Sequence, residues 1–279
     1  MGADPDGVHR SFLKRSAHKI APLHGQSEIT KPCDPDMPVK GPLLRQFSTI
    51  ARRQVRLILA DRGYLAFLTL VPFILGVLSL AVCGKVGFGV PDPLGDAPNE
   101  PGQILVLLNV GAISMGIALT IRDLIGERAI FRREQAVGLS TGAYLLAKIV
   151  VYRAAAAIQS AVLVAIVISG KGGPTQGAVL LQSASVELFV DIAATCDASA
   201  ILGLPLSAVA RSNEHIVPLL VVTVMAQLVF SGGLIPVTNR ILLDPMSWAT
   251  PARWGFAASA STVDLTSLVP AQLAPRDSH

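Results

Sequence analysis

The sequence predicts an all-α polytopic membrane protein. About five transmembrane helices follow an amphipathic interfacial helix, and a polar helix lies between the second and third spans. Three observations carry this reading. Of 279 residues, 51% are hydrophobic and 15% charged, whereas a soluble domain keeps about a quarter of its residues charged. The apolar residues gather in runs long enough to supply the ~20 residues that a membrane helix needs. The basic residues concentrate in alternate polar stretches between those runs. The net charge of +4 therefore reports residues flanking spans, and no nucleic-acid partner is implied. Cys33, Cys83 and Cys196 are odd in number and far apart, and form neither a disulfide framework nor a zinc-ligand pattern.

Residues 1–42 hold six prolines, six Lys/Arg and five Asp/Glu with almost no apolar clustering. Such a segment buries too little surface to offset its chain entropy, so a disordered tail or linker is expected. Residues 43–279 form the membrane domain. Over 43–62, a helical wheel puts Leu43, Phe47, Ile50 and Ile58 on one face. Arg45, Arg52, Arg53 and Arg56 fall on the other, as in a helix lying at an anionic membrane surface.

The spans are expected at about 63–84, 104–121, 144–169, 180–209 and 216–235. Pro72 in the first is tolerable where a neighbouring helix satisfies the freed carbonyl. Between the second and third spans, residues 122–134 carry seven charges in thirteen positions. Lys148 and Arg153 near the start of the third span are expected to snorkel toward headgroups. Arg45, Arg52, Arg53, Arg56 and Arg62 precede the first span, and Arg122, Arg128, Arg132, Arg133 and Lys148 follow the second. The intervening external loops hold only Lys85 and Lys171. The positive-inside bias thus places the N-terminus in the cytoplasm of a multi-pass plasma-membrane protein. The segment 236–279, with Trp248 and Trp254, is then external, and five spans leave the C-terminus outside.

No GxxxxGK[ST], HExxH or GxSxG motif occurs, so no catalytic, cofactor or metal residues are assigned. The candidate intramembrane polar site is Glu187, Asp191 and Asp197 in the fourth span and Gln227 in the fifth. Buried carboxylates in a bilayer face a partner or a wet cavity. Glu187 and Asp191 share a helix face, while Asp197 lies well round from Asp191. These residues either line a route or relay protons, or are satisfied within the bundle. Gln227 reads better as an interhelical hydrogen-bond former than as a substrate contact.

Glu127-Arg128, Phe131, Arg133-Glu134, Gly138 and Ala143-Tyr144-Leu145-Leu146-Ala147-Lys148 resemble the pattern E-R-x-x-F-x-R-E-x-x-x-G…A-Y-x-x-A-K. This pattern marks the cytoplasmic coupling region of ABC-2-type permeases of the G (white-like) exporter subfamily. Leu202-Gly203-Leu204, Ser207-Ala208, Phe230-Ser231-Gly232 and Pro251-Ala252-Arg253-Trp254 are similar to later motifs of that family, in family order. The chain most resembles the membrane half of actinobacterial fusions joining forkhead-associated, ATPase and permease domains.

The resemblance implies an ATP-driven exporter of an amphipathic or lipid-like substrate. ATP and Mg would bind on a partner ATPase domain, and a second permease copy would complete a homodimer in the lipid bilayer. It implies that Glu127, Arg128, Phe131, Arg133 and Glu134 couple to the ATPase through a helix continuous with both neighbouring spans. The family's ATPase precedes the surface helix, where this sequence has the 42-residue tail. The family also has a sixth span after the PARW segment, and Leu139 stands where it has a tyrosine. A split subunit, a truncated copy or an incomplete product is therefore expected. Two rival readings are a proton-coupled secondary transporter using Glu187 and Asp191, and a non-transporting membrane subunit.

Overall fold

The computed structural model describes residues 43–82, 84–92, 97–121, 123–174, 179–210, 213–234 and 243–268. The tail expected over 1–42 and residues 236–242 and 269–279 of the expected external segment lie outside them, as do Arg122 and Cys83. All regular structure among the described residues is helical. In chain order the helices are α1 (Leu43–Ala60), α2 (Arg62–Leu80), α3 (Glu100–Thr120), α4 (Asp123–Ala136), α5 (Thr141–Lys171) and α6 (Ala184–Val209). A 3₁₀ turn at Asn213–His215 leads into α7 (Ile216–Phe230), followed by α8 (Leu243–Trp248), α9 (Pro251–Thr262) and α10 (Leu265–Leu268).

Helices α2, α3, α5 and α6 are long and apolar enough to cross a membrane. The fifth expected span is shorter than its apolar run. Helix α7 has 15 residues, about 22 Å at 1.5 Å per residue, against a hydrocarbon core of about 30 Å. Helix α7 stops at Phe230 because Ser231-Gly232-Gly233 follows, with Gly232 at φ 77°, a conformation glycine adopts without steric cost. A helix running on to Ile235 is thereby corrected.

Helix α3 is the axis of the bundle and is buried along almost its whole length. Its Leu105, Leu108, Met115 and Leu119 pack with Leu163 and Val167 of α5 and with Leu188, Ile192 and Cys196 of α6. Close approach of α3 and α6 requires Gly116, since a Cβ there would collide with the Cys196 carbonyl oxygen. The Thr120 hydroxyl of α3 then reaches the Ala200 carbonyl of α6 at 2.8 Å. Small residues and interhelical hydrogen bonds are how helices adhere when lipid removes the hydrophobic drive.

Helix α2 turns Leu68, Pro72, Gly76 and Ser79 inward and leaves Phe67, Leu70, Phe73, Ile74 and Val77 outward. Pro72 has no N–H for the carbonyl of Leu68, four residues back. Gln159 of α5 fills that place: its Nε2 donates to the Leu68 oxygen at 2.7 Å. The expectation that a neighbouring helix satisfies the freed carbonyl has a named donor.

Helix α9 packs along α6 and α3, with Ala252, Gly255, Ser259 and Thr262 buried. The PARW arginine, Arg253, pairs with Asp244 of α8 at 2.5 Å and lies over the Trp248 ring. Trp254 donates to the Trp248 carbonyl at 2.9 Å.

Replacing Gln159 with Leu should orphan the Leu68 carbonyl and cost about 1 kcal/mol. In a Pro72→Ala background the same replacement should cost much less, because the introduced alanine supplies its own backbone N–H. Melting in detergent across the double-mutant cycle measures this. Equal costs in both backgrounds would reject the pairing.

Candidate functional site

The charge-rich stretch between the second and third spans folds as α4, a separate helix. Helix α3 ends at Thr120, α4 begins at Asp123 and α5 begins only at Thr141. The expected continuity with both spans is corrected by the turn after Ala136. There Gly138 (φ 106°) donates to the Gln135 carbonyl at 3.1 Å, and Leu139 donates to the Glu134 carbonyl at 3.1 Å. This is a Schellman stop, which favours glycine at its left-handed position. Ser140 then caps α5 by accepting from the Ala143 N–H at 3.2 Å.

Helical spacing builds the site. Asp123 and Glu127 are one turn apart on α4, and Tyr144, Lys148 and Tyr152 recur every four residues along α5. Those two rows meet. The Lys148 ammonium is wholly buried, pairs with Asp123, and lies 2.9 Å from Glu127 Oε2. Tyr144 donates its hydroxyl to the same Glu127 oxygen at 2.8 Å, and its ring lies 5.0 Å from the ammonium. Helix α1 closes the cluster. Gln54 Nε2 donates to Asp123 Oδ1 at 3.0 Å and to the Tyr152 hydroxyl at 2.7 Å. Arg53 spans Glu127 at 3.5 Å and Glu134 at 2.5 Å. Beneath this, Ile50 packs against Tyr144 and Ala147, and the Phe131 ring sits 4.6 Å from the Tyr144 ring.

Two expectations change. Lys148 does not snorkel to headgroups, because two acids and a tyrosine enclose it on the face that α5 turns to α4. Arg53 does not share the outward direction of Arg52 and Arg56. It follows Ile50 by three residues, about 60° round the helix, and so reaches the acids of α4.

Of the expected coupling residues, Glu127, Phe131 and Glu134 thus turn inward to α1 and α5. Arg128 turns to α6, where Nη2 donates to the Ala208 carbonyl at 2.5 Å, one of the carbonyls that a helix end leaves without an intrahelical donor. Arg133 is exposed. Sequence reasoning did not assign Asp123, Lys148, Tyr144, Tyr152, Arg53 or Gln54 to this cluster. The four-residue rhythm of Tyr144, Lys148 and Tyr152 opposite Asp123 and Glu127 was the available signal.

The polar residues of the spans fall into three places. Glu187 Oε2 accepts from the backbone N–H groups of Val179, Leu180 and Leu181 at 3.0, 2.9 and 3.1 Å. The Thr262 hydroxyl lies 3.2 Å from Glu187 Oε1 and 2.6 Å from Asp191 Oδ2. This arrangement ties the loop before α6 and the end of α9 to the start of α6. Asp197 lies apart and accepts from Arg153 Nε and Nη2 at 2.8 and 2.5 Å. Gln227 is elsewhere again: its Oε1 accepts from the Ala252 N–H at 3.1 Å, satisfying a donor in the first turn of α9. Among the described residues no group of three His, Cys, Asp or Glu is placed to hold a metal ion.

Burial alone would raise the Glu127 carboxyl. The Lys148 charge, hydrogen bonds from Lys148 and Tyr144, and the Arg53 charge outweigh it and hold Glu127 below the ordinary carboxylate range. A carboxyl lowered on folding contributes stability above its unfolded value and loses it as pH falls through the lowered one.

A family model described as ABC-2 type transporter matches residues 45–263. The chain is also similar to the ABC transporter ATP-binding/permease protein Rv1747 of Mycobacterium tuberculosis, at 65% identity over 276 residues. That match covers 99% of this chain and 31% of the relative, so the chain spans about a third of the relative's length.

The cluster geometry makes two outcomes measurable. Lys148→Met leaves two buried carboxylates without their cation and should cost about 3–5 kcal/mol, read as a lowered melting midpoint in detergent. Acidification from about pH 6 to about pH 3 should lower the wild-type midpoint, and Glu127→Gln should show a shallower fall. Parallel pH profiles would contradict the assignment of Glu127.

Proposed function

The chain belongs to the ABC-2 type transporter family, as its permease part, and from that premise we propose that it exports an amphipathic or lipid-like substrate across the plasma membrane. The work is supplied by ATP hydrolysis, with Mg, on an associated ATPase domain, and two permease copies flank the route. The fusion named in the mycobacterial relative, an ATP-binding/permease protein, supports an ATPase partner. Pairing with a second copy rests on the resemblance to the exporter subfamily.

The observation that carries the mechanism is the burial of Lys148 between Asp123 and Glu127. A motor outside the membrane can move a permease only through an element that does not yield. A displaced α4 carries α5 with it, because separation would strand a buried ammonium and two carboxylates. Arg53 and Gln54 carry α1 along. On this reading the acids of α4 are the internal brace, and Arg133, on the outward side, meets the ATPase. With the N-terminus cytoplasmic, α4 lies on the side where ATP is made available.

The test uses the permease assembled with its ATPase in vesicles. Arg133→Glu should cut ATP-dependent transport about tenfold, equivalent to about 1.4 kcal/mol of lost docking, while leaving the melting midpoint unchanged. Transport that persists without ATP and collapses with the proton gradient would replace this reading with a secondary transporter using Glu187 and Asp191.

A further inference from the structure

Arg153 is an unusual residue for a span, because 67% of its side chain is exposed while its partner Asp197 is 12% exposed. Its guanidinium carries five N–H donors, and the recorded bonds use Nε and Nη2, both on Asp197 Oδ2. The remainder of the fork lies in an open groove of about 520 Å³ between α5 and α6. The groove is floored by Ala157, Ala193, Ala194 and Ala198, with Phe189 toward its far end. From Phe189 to Ile201 it follows α6 for twelve residues, about 18 Å.

Two placements fix its level. Arg153 follows Tyr152, whose hydroxyl accepts from Gln54 at the edge of the ionic cluster. Asp197 neighbours Cys196, which abuts Gly116 about one turn before α3 ends. The guanidinium therefore lies close to the polar boundary on the α4 side, while the alanine floor runs from it into the apolar part of the bundle.

We propose that this groove binds a glycerophospholipid of the leaflet adjoining α4, with its phosphate on Arg153 and an acyl chain along the alanines. A guanidinium fork matches phosphate oxygens two at a time, and an exposed charge within a span draws headgroups and water toward itself. Flanked by two spans and floored by methyl groups, the site suits a ligand with a tail over inorganic phosphate. Asp197 holds the fork in place from behind. The site is independent of the exporter reading, because binding is measured without nucleotide or transport.

Native mass spectrometry of the full chain in detergent reads lipid occupancy directly. Phosphatidylglycerol should bind about tenfold more tightly than diacylglycerol of the same chains, and excess inorganic phosphate should leave it in place. Arg153→Ala should abolish that preference, and Arg153→Lys should keep part of it. Ala194→Trp fills the groove from an exposed position and should lose the lipid with an unchanged melting midpoint, which covers misfolding of the arginine variant. Phosphatidylglycerol retained at the wild-type level in Arg153→Ala or in Ala194→Trp, equal binding of diacylglycerol by the wild type, or displacement by inorganic phosphate would each overturn the proposal.

Discussion

The architecture depends on one buried ammonium. Lys148 is enclosed by Asp123, Glu127 and the Tyr144 ring, where few waters can replace a lost partner. Desolvating such a group is costly, and the cost is met only while all partners stay in position. That condition holds α4 against α5 and, through Arg53 and Gln54, holds α1 against both. Without it, α4 would be a polar helix with little apolar surface of its own, and packing alone would not fix its angle to the bundle.

The same logic recurs through the spans. At three points a polar group presented to the apolar interior is met by a specific group from another segment. Gln159 meets the carbonyl that Pro72 frees, Gln227 meets a leading N–H of α9, and Glu187 gathers three N–H groups of the loop before α6. Each contact joins segments from different parts of the fold. Such bonds specify which helix stands next to which, a role that apolar contact cannot fill where lipid is as apolar as the helix surface.

Much of the fold was legible in the sequence, for physical reasons. Span-length apolar runs have few alternatives to helices, so α2, α3, α5 and α6 stand within a few residues of their expected positions. The charged stretch was expected as a helix through the family resemblance, and the stop that Gly138 imposes on it was not anticipated, because a left-handed turn is a matter of backbone geometry rather than of charge. The early end of α7 was hidden because 20 uncharged residues describe hydropathy, while the Ser231-Gly232-Gly233 turn acts on backbone geometry. The cluster around Lys148 was hidden more deeply. Its members come from α1, α4 and α5, and a lysine near the end of a span looks the same in sequence whether it reaches for headgroups or for a buried carboxylate. Arg53 was misdirected because a helical wheel divides faces sharply, while a long side chain at the flank goes to the nearest acid.

The claim at the centre of the proposed mechanism is that α1, α4 and α5 move as one body when an associated ATPase turns over. Spin labels at Arg52 of α1 and Arg132 of α4, both exposed and outside the ionic cluster, report on it directly. Pulsed dipolar spectroscopy on the assembly should give one narrow distance, the same without nucleotide and with ATP trapped. A distance that shifts or splits between those states would mean that the Lys148 cluster opens during the cycle and that force takes another path.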